Sequence, residues 1–394
     1  MKENVCKPIR LAICGIRGIP ACYGGFETFA EELAPRLASN EVEVVVYGRK
    51  HVINYQDSNY KGAEIRLLPA PRHKYLETPV HTILSFFDIV RRRDIDVVLL
   101  CNAANSPFIP LVRLVGVKVM VNVDGIERKR AKWNALGKLW YRIGEISSVL
   151  FANEVVADAD IIRDYYLESY RAKSTVIRYG FSSTRLAQAK KRIENPETLF
   201  ETEPAVYMEF GLKQDEYLLY VARIEPENNA HIVIQAYSKL SQEQQSRYPL
   251  VIVGDAPYSD DYKERLRLLA DGSNVIFTGY QFGEAYELLQ LGARIYVQAS
   301  EVGGTHPALV EALGFANAVV ANDTPEHREV ISDSGWYYDK NSPTDLSSKL
   351  EDLLQSDSSR VDLQKSAFDR VAAEFSWGGI ANSYKQLAMS MLRR

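Results

Sequence analysis

The chain has 394 residues, 46% of them hydrophobic, and 47 Lys+Arg against 51 Asp+Glu give a formal net charge of −4. That scale supplies two hydrophobic cores of roughly 150 to 200 residues each, while the absence of any apolar run near the roughly 20 residues of a bilayer span argues against a transmembrane segment. The start, Met1 to Pro8, lacks the apolar core of a signal peptide, and Cys6, Cys14, Cys22 and Cys101 have spacings that suit neither a zinc site nor a disulfide framework, so a cytoplasmic protein with reduced cysteines is expected.

In chain order, Ile9–Cys14 reads as a buried strand, followed by the glycine-rich loop from Gly15 to Gly25 and a helix with Phe26, Phe29, Leu33 and Leu37 on one face. Strand, phosphate-compatible loop and helix follow one another, and backbone amides at Gly24 and Gly25 are candidate phosphate donors. A dinucleotide fingerprint would need Gly-x-Gly-x-x-Gly and an acid after the second strand. Here the spacing is Gly15-x-x-Gly18 and the second strand, Val42–Tyr47, runs into Gly48-Arg49-Lys50, which speaks against NAD.

Further short buried strands are expected at Ile65–Leu68, Val97–Leu100, Lys118–Val123, Glu154–Ala157 and Thr175–Arg178, separated by helical stretches, as in a parallel sheet wound with helices. Asp124 follows one of these strands. Its carboxylate can orient a hydroxyl or support a cationic transition state, or the residue can simply make an Asp-Gly turn with Gly125. Residues 1 to 200 carry 30 basic against 22 acidic side chains, or +8, leaving −12 for the rest. The excess lies between Arg113 and Arg142, where Arg128, Lys129, Arg130, Lys132, Lys138 and others face only Asp124 and Glu127, with Trp133, Trp140 and Tyr141 interleaved. Such a patch suits an anionic membrane surface or nucleic acid, or is a solvated helix face.

Around Leu186 to Asp215 the periodicity weakens and Pro196 and Pro204 accumulate, so the domain boundary is placed at 195/196. The strand rhythm resumes with Tyr217–Val221, Leu250–Val253, Val275–Thr278, Ile295–Gln298 and Ala318–Ala321. Arg223, just past a strand, can hold two phosphate oxygens in a bidentate fork, the alternative being a surface arginine on a loop. In Glu301-Val-Gly-Gly-Thr-His-Pro-Ala-Leu-Val-Glu311 a glycine-rich turn opens into a helix. Amides freed by Gly303, Gly304 and Thr305, with the helix start near His306, suit a diphosphate, and Glu311 can accept from a ribose; a loop before an ordinary helix start is the other reading. No histidine or carboxylate cluster with metal-ligand spacing stands out, so no metal and no cofactor are expected.

Together Gly15-Ile-Arg-Gly-Ile-Pro, Tyr23-Gly-Gly-Phe-Glu-Thr28, Val123-Asp-Gly-Ile-Glu-Arg-Lys-Arg-Ala-Lys-Trp133, Ala222-Arg-Ile-Glu-Pro-Glu-Asn-Asn229 and Gly303-Gly-Thr-His-Pro-Ala-Leu-Val-Glu311 resemble the bacterial rhamnosyltransferase-like branch of retaining glycosyltransferase family 4, with an N-terminal domain of the DUF1972 type. The resemblance runs through nearly the whole chain. It implies an α/β fold of the GT-B kind, two Rossmann-like domains with parallel sheets facing across a cleft: an acceptor-side domain at 1–195, a nucleotide-sugar domain at 196–374, and a terminal helix at about 375–394 that packs back on the first.

It also implies roles. Arg223 matches the phosphate-binding arginine, and Asp124, with Glu127, stands where donor-sugar or acceptor contacts are made. Lys129, Arg130 and Lys132 fall on the acceptor side. Two positions depart from the family pattern: the lysine common five residues after the arginine is Asn228, and the first of a usual pair of glutamates eight apart is Gly303, with Glu301 displaced by two. The expected reaction is metal-independent transfer of a sugar, with retention by front-side attack, from a nucleoside-diphosphate donor (dTDP-rhamnose favoured, a UDP-sugar the alternative) to a lipid-linked saccharide. This would occur at the anionic inner face of the plasma membrane, with no nucleic-acid partner. A sugar-nucleotide epimerase or phosphorylase on the same fold, and a noncatalytic nucleotide-binding scaffold, are the competing readings.

Overall fold

A computed structural model describes residues 7–22, 24–73, 76–123, 125, 126, 128, 134–200, 202–257, 259–301 and 304–393. The expected alternation resolves into two units, one formed by the chain up to Gly180 together with the terminal helix from Trp377, the other by Phe181–Ser376.

The first unit is built on eight strands: β1 (Ile9–Cys14), β2 (Val42–Arg49), β3 (Asn59–Tyr60), β4 (Ala63–Leu68), β5 (Val97–Cys101), β6 (Lys118–Val123), β7 (Glu154–Ala157) and β8 (Thr175–Val176). Their order is β3-β4-β2-β1-β5-β6-β7-β8, and every pair is parallel except the short β3–β4 hairpin. Strands such as β5, Val-Val-Leu-Leu-Cys, are apolar on both faces because helices cover both. The helices between them are α1 (Gly25–Leu37), α2 (Glu77–Arg92), α3 (Ile109–Arg113), α4 (Ala135–Phe151) and α5 (Asp160–Tyr170). Gly15, at φ +89°, is fixed by the turn after β1, where a Cβ would stand 2.4 Å from the Cys101 carbonyl oxygen.

The second unit holds a wholly parallel sheet with β9 (Leu218–Val221), β10 (Leu250–Val253), β11 (Val275–Gly279), β12 (Ile295–Gln298), β13 (Ala318–Asn322) and β14 (Trp336–Tyr338), in the order β11-β10-β9-β12-β13-β14. Its helices are α6 (Ser183–Glu194), α7 (Ala205–Phe210), α8 (Ala230–Tyr237), α9 (Gln242–Arg247), α10 (Asp260–Ala270), α11 (Gly283–Gly292), α12 (Pro307–Gly314), α13 (Pro325–Ile331), α14 (Pro343–Gln355) and α15 (Asp357–Glu374). The chain then returns to the first unit as α16 (Trp377–Arg393), where Trp377 and Tyr384 pack on Phe29 of α1 at ring separations of 6.0 and 5.6 Å.

The division falls at Gly180/Phe181, earlier than the 195/196 read from the weakening periodicity. Arg192 explains the difference. Buried in α6, it donates to the Phe315 carbonyl at 2.9 Å and to Asn317 Oδ1 at 3.0 Å, so a charged side chain occupies the inward face of a helix belonging to the second unit. A pattern read by hydrophobicity takes such a segment for a linker.

Candidate functional site

Strands β9 and β12 are parallel neighbours, with Leu218 opposite Ile295 and Tyr220 opposite Val297, so the loops that follow them leave the same edge of the sheet side by side. This carboxyl edge is where open parallel sheets bind ligands. Two buried asparagines, Asn229 and Asn322, and the half-buried Asn341 bind its loops together. Asn229, in the left-handed region at φ 61°, donates to the Ala299 carbonyl and to Asn341 Oδ1, both at 3.0 Å. Asn322 Nδ2 donates to the same Asn341 oxygen at 2.9 Å, and the Asn341 N–H returns a bond to Asn322 Oδ1 at 3.0 Å. Glu301 lies inside this network: its carboxylate accepts from Asn229 at 3.2 Å and from Asn341, and its N–H donates to the Glu227 carbonyl at 3.1 Å.

Arg223 follows β9 with its side chain 28% exposed and its guanidinium 3.7 Å from the Glu225 carboxylate. The backbone beneath it is held by Asn228, a buried residue whose Nδ2 donates to the Arg223 carbonyl at 2.7 Å. Asn228 therefore braces the arginine loop where a lysine would have added charge.

The loop after β12 enters α12 with Pro307 in its first turn, and the His306 carbonyl accepts from Leu309 N–H at 2.9 Å. Thr305 and Glu311 are buried. Glu311 Oε2 accepts from the Tyr286 hydroxyl of α11 at 2.6 Å, Tyr286 accepts from Gln290 at 2.9 Å, and Gln290 Oε1 accepts from Asn317 at 3.0 Å. Asn317 is the residue bonded to Arg192, so a continuous chain of hydrogen bonds runs from the buried arginine to the glutamate. Beside it the rings of His306 and His327 lie 4.8 Å apart. Burial holds the His327 pKa down at about 4, and its Nδ1–H donates to the Asn322 carbonyl at 2.7 Å.

In the first unit, Gly24 caps α1 in extended backbone and Gly25 is its first residue. The adjoining turn is already held by a carboxyl group: Glu27, buried in α1, accepts from the Arg17 N–H at 2.9 Å, and burial raises its carboxyl pKa. Asp124, Glu127, Lys129, Arg130, Lys132 and Gly303 lie outside the described residues. Of the basic stretch chosen from sequence, Arg128 donates to Tyr165 at 3.1 Å and Glu145 at 3.3 Å, and Arg113 donates to the Phe151 carbonyl at 2.8 Å, so both are engaged within the unit.

The structure thus sets Arg223, Gly304, Thr305, His306 and Glu311 on neighbouring loops and α12 of the second unit, while Gly24 and Gly25 belong to the first. Tyr286, Glu27 and the trio Asn229, Asn322 and Asn341 are added by the structure. An acid three residues into Gly24-Gly25-Phe26-Glu27 is a recognisable helix-start signal. The asparagine trio has no such local mark.

Residues 209–370 match the family described as "Glycosyl transferases group 1", and residues 9–182 match "Domain of unknown function (DUF1972)". The chain is 28% identical over 226 residues to "O-antigen chain mannosyltransferase B" of Escherichia coli, a match covering 55% of this chain and 58% of that protein. It is 29% identical over 180 residues to "Alpha-monoglucosyldiacylglycerol synthase" of Streptococcus pneumoniae, covering 45% and 39% respectively. The chain therefore spans less than two thirds of the length of these relatives. In fold it is similar to sucrose-phosphate synthase from Thermosynechococcus elongatus, with a TM-score of 0.79 at 18% identity over 98% of this chain and 99% of the other. A second solved structure, Anabaena HepE in complex with UDP and glucose, gives 0.76 at 14% identity over 97% and 99%. Two mainly parallel α/β sheets and these likenesses identify a GT-B fold, in which residues 209–370 match the glycosyl transferases group 1 family and residues 9–182 match DUF1972.

Proposed function

We propose that the chain is a retaining glycosyltransferase that moves a sugar from a nucleoside-diphosphate donor to a lipid-linked saccharide during bacterial surface-polysaccharide synthesis. The observation that carries this reading is the braced edge of the second sheet, where Arg223 and the start of α12 with Glu311 stand on the loops of neighbouring strands. Cleaving a sugar–diphosphate bond builds negative charge on the leaving phosphate, and a preorganised arginine stabilises that charge best. Arg223 takes the phosphates, helped by backbone amides of Gly303, Gly304, Thr305 and His306. Glu311 takes the ribose hydroxyls. Asp124, with Glu127, orients the acceptor. The acceptor oxygen bonds to the anomeric carbon on the face from which the phosphate departs, and its proton passes to that phosphate.

The resemblance in sequence favours dTDP-rhamnose. A mannosyl donor is the second reading, because the Escherichia coli relative is a mannosyltransferase by name. That HepE was solved with UDP and glucose supports a UDP-sugar as a third donor to try. Incubation with labelled dTDP-rhamnose, GDP-mannose or UDP-glucose and a polyprenyl-diphosphate saccharide tests the proposal. Label moving into the lipid fraction supports transfer and names the donor. An altered sugar nucleotide without transfer would favour the epimerase reading, and no turnover with tight nucleotide binding would favour a scaffold.

A further inference from the structure

Helix α4 is turned inside out relative to an ordinary surface helix. Its small and polar residues Gly144, Ser147 and Ser148 are buried. A Cβ at Gly144 would stand 2.6 Å from the Ala103 carbonyl oxygen, so the helix lies tight against the turn Ala103–Phe108 on that side. The aliphatic side chains face outward: Leu136 is 75% exposed and Leu150 65%, with Leu139, Ile143 and Ile146 exposed between them. Spaced at i, i+3, i+7, i+10 and i+14, these five form one continuous stripe. Leu111 of α3 and Leu114 just beyond it, the latter 85% exposed, extend the apolar surface on the helix packed next to α4. Contiguous apolar surface of this kind marks an interaction site.

Charge selects the partner. The exposed ionic side chains of α4 are Lys138 and Arg142. Its one carboxylate, Glu145, is buried and accepts from Tyr165 at 2.8 Å, Tyr170 at 2.5 Å and Arg128 at 3.3 Å, so it presents no negative charge outward. A second copy docked on this face would set Lys138 and Arg142 against their own counterparts with no acid to pair them. An anionic bilayer offers both an apolar interior and phosphates. Among the described residues no helix is long and apolar enough to cross a membrane, so α4 would lie along the surface.

We propose that α4 docks flat on an anionic lipid bilayer, its Leu/Ile stripe set into the headgroup–acyl boundary and Lys138 and Arg142 on the lipid phosphates. This deepens the reading of a lipid-linked acceptor and rests on it for its effect on turnover. Binding is thereby assigned chiefly to apolar contact, with the basic residues choosing the lipid.

Flotation of the full chain with phosphatidylcholine vesicles, with and without phosphatidylglycerol, tests the idea. The wild type is expected to float with the anionic vesicles and to keep a substantial part of that binding in high salt. Leu139→Ser with Ile143→Ser, both exposed and therefore compatible with folding as checked by circular dichroism, should weaken binding by about tenfold or more, whereas Lys138→Gln with Arg142→Gln should abolish the preference for anionic lipid. Failure of the wild type to float, or full binding by the serine variant, would overturn the proposal. So would a lipid-free dimer, seen by sedimentation, that the serine variant breaks, since a second copy would then own the surface. Loss of flotation in the serine variant from a protein that transfers no sugar would leave the membrane face standing and sink the enzymatic reading alone.

Discussion

The Tyr286 hydroxyl donates to Glu311 Oε2 at 2.6 Å, joining α11 to α12. The ribose contact proposed for Glu311 needs its carboxylate held in one orientation, and this bond supplies a fixed point. Tyr286→Phe should raise the nucleotide Kd roughly fivefold, the loss of about 1 kcal/mol expected for one hydrogen bond, with little change in kcat. Glu311→Gln should raise it on the order of tenfold or more, because a charge-assisted bond becomes neutral. The two changes act through one contact, so the double variant should fall short of their sum. Calorimetry with UDP and dTDP reads all three; unchanged Kd values throughout would remove Glu311 from the nucleotide site.

Arg223→Ala should lower turnover about 100-fold or more, the usual loss when one preorganised donor to a developing anion is deleted. Asn228→Ala should cost less, since it removes only the 2.7 Å bond to the Arg223 carbonyl and leaves the guanidinium in place. That lost bond is worth about 1 kcal/mol of stability, and a several-fold fall in kcat/KM should accompany it. Steady-state kinetics separates the two. An Arg223→Ala enzyme with more than about half its activity would show that the phosphates are held elsewhere.

Legibility in the sequence followed the reach of the physics. Strands β5 and β10 are continuous apolar runs that no exposed element would tolerate, and they fall where periodicity places them. Three-residue β14, Trp-Tyr-Tyr, carries too little pattern to be read. The place of Arg223 just past β9 is legible because the strand before it is an apolar run that ends two residues earlier. Tyr286 is not, because its meaning depends on a helix contact 25 residues away. Arg192 misleads, since a charge normally marks solvent and here donates to buried carbonyls. For α4, hydrophobicity alone would turn the leucines inward, whereas the close approach at Gly144 and the burial of Ser147 and Ser148 show the opposite face packed.

Asp124→Asn should abolish transfer while leaving nucleotide affinity within about twofold, as expected of a group acting on the acceptor side through its charge. Labelled transfer and calorimetry with the bare nucleotide, run on the same preparation, check it. A parallel loss of nucleotide binding would assign the residue to the donor or to the fold.

Stability should fall on mild acidification. His81 and His327 are both fully buried, and burial lowers each pKa from 6.5 to about 4. Between those values the unfolded chain binds protons that the folded one refuses, so unfolding becomes easier as pH drops from about 6.5 toward 4, by up to roughly 3 kcal/mol for each histidine. The depressed carboxylates Asp88 and Asp94 act in the same direction at lower pH, beginning near their unfolded value of 3.8. Urea unfolding at several pH values gives the slope. His81→Gln should be less stable at neutral pH, losing the 3.0 Å bond to the Gly48 carbonyl in its native geometry, yet should show a shallower dependence. A wild-type profile flat through this window would contradict the buried neutral histidines.

Gly144→Ala sets two effects of opposite sign against each other. Within a helix, alanine is favoured over glycine by up to about 1 kcal/mol. Against that, the new methyl would sit 2.6 Å from the Ala103 carbonyl oxygen and 3.0 Å from Ala104 Cα, backbone atoms that cannot swing aside as a side chain would. Overpacking of this kind costs typically about 1 to 3 kcal/mol, so a net destabilisation of about 1 kcal/mol or more is expected from chemical denaturation. If α4 relieves the clash by shifting outward, its apolar stripe changes tilt, and flotation with anionic vesicles should weaken alongside stability. A variant as stable as the wild type or more so would show that α4 is free to slide on the turn beneath it, and that Gly144 does not fix the face it presents.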